Sequence, residues 1–104
     1  MKMIAEQICR YSLEVADGKY DEIIKILESQ GKTVTKNGPL LTVKFPDNYH
    51  ATIPIGASPV DLVSALMFAL FGPMWAIVAG KEYGKAQRLI TKEIRKRRLD
   101  KSKK

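Results

Sequence analysis

The 104-residue chain has a single cysteine, Cys9, and a single histidine, His50. An internal disulfide needs two thiols and structural zinc normally takes four Cys or His ligands, so disulfide scaffolds and zinc fingers are excluded. Cys9 falls in a segment with helical apolar spacing, where an inert thiol is expected rather than a Cys–His nucleophilic pair. Glycine and proline are sparse, seven and five, which excludes collagen-like and low-complexity chains. The first ten residues carry Glu6, Gln7 and Arg10 and no continuous apolar run, unlike a secretory signal, so a cytoplasmic protein is expected. No Gly-rich phosphate loop, paired-carboxylate site or Ser-His-Asp arrangement stands out. The expectation is therefore a non-enzyme without metal or cofactor.

With 45% hydrophobic and 28% charged residues, there is enough apolar material for one globular core and too little chain for two. The net charge of +7 is unevenly placed. Residues 1–60 balance seven Lys or Arg against seven Asp or Glu, and Asp61 is the only charge over residues 61–80. Residues 81–104 hold eleven Lys or Arg against Glu82, Glu93 and Asp100. A basic excess confined to one end points to a contact with nucleic acid or an anionic membrane, with a solvated tail as the plainer alternative.

Ile4, Ile8, Tyr11 and Val15 are spaced for one buried helix face over residues 2–16, although Tyr11, Leu13 and Val15 also alternate as a strand would. Asp17-Gly18 reads as a turn. Tyr20, Ile23, Ile24 and Leu27 predict a helix over 20–30, with Asp21 and Glu22 at its positive end and Gly31 as its C-terminal cap. From Lys32 the period changes. Thr33 to Thr35, Leu41 to Phe45 and Tyr49 to Ile55 predict a three-stranded meander, with turns at Asn37-Gly38 and Pro46-Asp47-Asn48. Pro54 has no N–H to give, so that end of the last strand is expected to lie at an edge or to leave the sheet.

Ser58 and Pro59 predict the N-cap and first residue of another helix, with Asp61 in its first turn. The uncharged run 62–80 that follows has two readings. Its length approaches that of a membrane span, and Lys81 flanks it as a cytoplasmic residue would. Gly72-Pro73 at its centre instead separates two helices, 60–71 and 74–79, which a small domain buries only by sandwiching them or by forming an oligomer. Beyond it, Tyr83, Ala86, Ile90 and Ile94 fall on one face of a helix over 81–98, and Lys85, Arg88, Lys92, Arg95 and Lys96 on nearly the opposite face. Residues 99–104 are expected to be a disordered basic tail.

The predicted fold is thus α+β: a small antiparallel three-stranded sheet flanked by helices, with an apolar helical segment and a C-terminal basic amphipathic helix, as one domain over 1–98. In that order of elements, residues 20–71 resemble the HicA toxin family, small RNA-cleaving proteins with a double-stranded-RNA-binding-like fold of helix, three strands and helix. The resemblance rests on a helix ending in Gly (Ile23-Ile24-Lys25-Ile26-Leu27-Glu28-Ser29-Gln30-Gly31), a second glycine at Gly38, Pro46-Asp47 in a hairpin, and a strand closing on Thr52-Ile53-Pro54. Family members carry Gly-Ser-His where this chain has Gly38-Pro39-Leu40. The resemblance therefore implies the fold without the nuclease histidine, since leucine transfers no proton. His50 lies on the neighbouring strand and does not match the motif.

The function expected from the sequence is phosphate binding on RNA or DNA through the closing helix, with Lys85, Arg88, Lys92, Arg95, Lys96, Arg97 and Arg98 as contact residues. Base-edge readers are missing, and only Phe45 and Tyr49 are candidates for stacking, both better placed as core or cross-strand residues. The competing expectations are a membrane-associated protein using 62–80, with the basic helix on anionic headgroups, or a homo-oligomer joined through 62–79.

Overall fold

A computed structural model describes residues 4–102 as four helices and a three-stranded antiparallel sheet of order β1-β2-β3, an α+β fold. The elements are α1 (Ile4–Ala16), α2 (Asp21–Ser29), β1 (Thr33–Asn37), β2 (Leu40–Lys44), β3 (His50–Pro54), α3 (Pro59–Phe71) and α4 (Trp75–Ser102). Residues 2 and 3 of the first expected helix, and Lys103 and Lys104 of the expected tail, lie outside the described residues.

The first segment is helical, not a strand. Ala5, Ile8, Tyr11, Ser12 and Val15 make its buried face. Gly18, at φ 82°, turns the chain out of α1. Gly31, at φ 86°, does the same for α2, where the Lys32 N–H reaches back to the Leu27 carbonyl at 3.2 Å. The β1–β2 hairpin turns on Gly38-Pro39, with Asn37 opposite Leu40. The β2–β3 hairpin turns on Pro46 to Asn48, and Asn48 takes φ 72°, a conformation that asparagine tolerates better than most residues. Pro54 closes the edge strand β3, as a residue without an N–H requires.

Alternation then divides the sheet into two faces. Leu41, Val43, Ala51 and Ile53 are buried toward the helices. Thr35, Thr42 and Thr52 stand in one cross-strand row on the opposite face, beside Lys44 and His50.

Only the first part of the uncharged stretch, in α3, forms the centre of the molecule; the expected burial of 74–79 is corrected, since Met74, Ile77 and Val78 are exposed beyond the packing of α3. Ser58 caps α3 by accepting from the Asp61 N–H at 3.3 Å, with Pro59 next in line. Leu62, Val63, Leu66, Met67 and Ala69 are buried because α3 packs against α1, α4 and β3 together. An apolar helix is satisfied when it is enclosed on several sides. Among the described residues, no helix is long and apolar enough to cross a membrane.

The segments that the sequence predicts over 74–79 and 81–98 are two helical stretches of α4 that meet in a kink at Ala79, whose φ of −141° and ψ of 27° leave the helical region. The Trp75 and Tyr83 rings meet across the bend, with centroids 5.4 Å apart. Of the tail expected from residue 99, Leu99 to Ser102 form the last turn of α4. Leucine, lysine and arginine are all good helix formers, so like charge alone does not end the helix there.

Candidate nucleic-acid interface

Helix α4 is held to the body by its apolar side. Ala86 and Ile90 are fully buried, and Tyr83 and Ile94 partly so. Gln87 fixes the helix to α3 by donating to the Val60 carbonyl at 3.2 Å and to the Tyr83 hydroxyl at 3.0 Å. With that side turned inward, a rotation of about 100° per residue turns Lys85, Arg88, Lys92, Arg95 and Lys96 outward, and all five are exposed. Lys81, which is not among the contact residues expected from the sequence, is exposed at the same angular position. Its signal was present, four residues before Lys85 on the same helical period. From Lys81 to Lys96 the row extends about 22 Å along the axis at 1.5 Å per residue.

The row borders a groove where α4 meets the start of α1. A hollow of about 640 Å³ is lined by Lys85, Arg88, Lys92 and Arg95 around Ala5, Glu6 and Leu89. A second, of about 530 Å³, shares Glu6, Leu89 and Lys92 and adds Cys9, Arg10, Leu13, Glu93 and Lys96. The groove thus has an apolar floor, a cationic wall along α4, and two carboxylates.

The cations are not equivalent. Lys85 lies 4.0 Å from Glu82. Among the described residues, Arg88, Lys92, Arg95 and Lys96 form no ion pair, so their charge faces solvent. Arg97 stands apart from the row: its guanidinium reaches Asp17 at 3.8 Å and Glu93 at 3.6 Å, which ties α4 to the end of α1. Arg98 is exposed but lies off the row on the helical wheel. Arg10, though it lines the groove, is held by Glu22 at 2.7 Å and by the Tyr11 hydroxyl at 3.1 Å. The structure therefore brings together five of the seven residues expected from the sequence and sets Arg97 and Arg98 to other sides.

Burial pushes the Cys9 thiol above its ordinary range; Glu93 adds to the shift and Arg97 opposes it. The thiol is thus kept protonated, as expected of an inert cysteine. His50 sits at the start of β3, directly across from Lys44, and Leu40 opens β2 between Asn37 and Pro54. Neither lies on the groove. Phe45 is buried, edge-on to Phe68 at 6.1 Å, so it is a core residue and unavailable for base stacking. Tyr49 is exposed on the β2–β3 turn, outside the groove lining. No cluster of three His, Cys, Asp or Glu that could hold a metal occurs among the described residues. No family model, no curated protein and no solved structure matches the chain.

Proposed function

We propose that the protein is a non-enzymatic nucleic-acid-binding module that lays the outer face of α4 along the phosphates of RNA or DNA. The observation that carries this reading is the row Lys85, Arg88, Lys92, Arg95 and Lys96, exposed together on a helix whose opposite face is locked into the core. Phosphate contacts of this kind dominate sequence-independent affinity, and a row presented on one rigid element meets several phosphates without ordering a flexible chain. Binding is weakly sequence-selective, because no aromatic ring on which bases could stack lines the groove. The resemblance to the HicA family supports no nuclease activity here, because Leu40 stands where the family has its histidine and supplies no acid or base.

Fluorescence anisotropy with a labelled polynucleotide tests the reading. The fourfold variant Lys85→Gln, Arg88→Gln, Lys92→Gln and Arg95→Gln keeps the core of α4 and is expected to lose most of its affinity and most of its salt dependence. Deleting α4 is not an equivalent test, since it removes the buried Ala86 and Ile90. Equal binding by the fourfold variant and the wild type overturns the reading.

A further inference from the structure

We propose that the protein pairs with a second copy of itself through the free edge of β3, giving a six-stranded antiparallel sheet. The register fixes which backbone groups are available. Phe45 donates to the Tyr49 carbonyl at 2.8 Å and Ile55 to the Pro39 carbonyl at 2.7 Å, so Ala51 and Ile53 bond to β2 between them. His50 and Thr52 alternate with these residues, and their N–H and C=O groups face outward at the edge.

A groove of about 370 Å³ runs beside that edge. His50 and Thr52 form one wall, Ser64, Ala65 and Phe68 of α3 the other, and Trp75 the end. No Lys, Arg, Asp or Glu lines it. Within one turn of Trp75, Met74, Ile77 and Val78 are 56%, 77% and 65% exposed, unusual for side chains of that size in so small a protein. The edge of β1 contrasts with this one. It carries Lys36, the kind of charge that protects an edge from pairing, whereas β3 has no Lys, Arg, Asp or Glu.

The occupant follows from charge and from hydrogen-bond matching. The basic excess of each chain is confined to residues 81–104, and a groove lined by no Lys, Arg, Asp or Glu lets two copies approach without setting those cations against each other. The segment offered, His50 to Pro54, is itself free of Lys, Arg, Asp and Glu and rich in β-forming residues. A two-fold axis at Ala51 pairs His50 of one copy with Thr52 of the other, twice, using every outward donor and acceptor of both residues. Pro54 lacks an N–H and Asn48 turns away at φ 72°, so neighbouring registers leave an outward carbonyl unpaired or run into the turn. The short side chains of Ser64 and Ala65 leave room for a strand about 4.8 Å away.

Sedimentation velocity of the nuclease-treated full chain, up to about 200 µM, tests the proposal independently of any nucleic-acid binding. The expected result is a concentration-dependent species of twice the 11.7 kDa chain mass. Ser64→Arg puts a charge on the groove wall, and Thr52→Pro removes one outward N–H. Each is expected to give monomer with unchanged circular dichroism; if one loses its fold, the other decides. A wild type that stays monomeric throughout overturns the proposal. So does a dimer that survives in a folded edge variant, or one abolished by Ile77→Asp but not by Ser64→Arg.

Discussion

The ammonium of Lys32 donates to the backbone carbonyl of Leu70 at 2.9 Å and lies 4.7 Å from the centroid of the Phe45 ring. One side chain thus closes the C-terminal end of α3, where carbonyls lack helical partners. It also joins the entry to the sheet to the central helix, 38 residues further along the chain.

Lys32→Met keeps the apolar stem beside Phe45 and removes the donor. The expected loss is about 1–2 kcal/mol of unfolding free energy by urea titration. Burial lowers the Lys32 pKa from its ordinary 10.5. The charged form is thus disfavoured by folding, and that cost is relieved as pH rises toward 10.5. The stability of wild type relative to Lys32→Met should therefore rise with pH in the window just below 10.5. A falling difference contradicts the assignment.

Gly72 ends α3 at φ 82°, and a Cβ there would lie 3.5 Å from the Phe45 ring. The contact is ordinary, so strain in the backbone sets the cost of Gly72→Ala. Thermal unfolding should show a destabilisation of about 1–2 kcal/mol. A neutral result would mean that the chain leaves α3 by another backbone path.

Cys9 should be alkylated slowly, with a pH profile centred above the ordinary thiol value of 9.0, because burial and Glu93 both disfavour the thiolate. Glu93→Gln should move the profile down, and Arg97→Ala should move it up. Since Cys9 lines the same groove as Lys92 and Lys96, bound polynucleotide should slow the reaction further. An unchanged rate under saturating polynucleotide places the ligand elsewhere.

Arg97 links α4 to the end of α1 through Asp17, so the proposed function assigns it a bracing role and leaves the phosphates to the row. Arg97 and Asp17 are both about half exposed, so a double-mutant cycle with Asp17→Ala should give a coupling no larger than about 1 kcal/mol. Arg97→Ala should leave polynucleotide affinity nearer to wild type than Arg88→Ala does, and the reverse order contradicts the division of roles.

Features coded by near neighbours were legible in the sequence. The Ser58-Pro59 cap, the Gly31 stop, the meander and the two faces of α4 follow from spacing, capping chemistry and alternation within a few residues. Lys32 was not legible as a clamp, because its acceptor is 38 residues away. Arg97 counted as one more cation until folding set Asp17 beside it. The run 62–80 is apolar nearly throughout, so no periodicity distinguishes the buried Leu66 from the exposed Ile77. Only the packing of α1, β3 and α4 around α3 separates them. The groove between α1 and α4 was equally hidden, since its floor is shared by Leu89 and residues of the first helix.

The salt dependence of polynucleotide binding tests the central claim most directly. Affinity measured between about 50 and 200 mM salt should fall linearly on a log–log plot. Lys92→Gln, which removes a cation shared by both hollows of the groove, should reduce the slope by about 0.9 with duplex DNA. Wild type and Lys92→Gln with the same slope and affinity, or no binding by wild type at the lowest salt, would contradict the account.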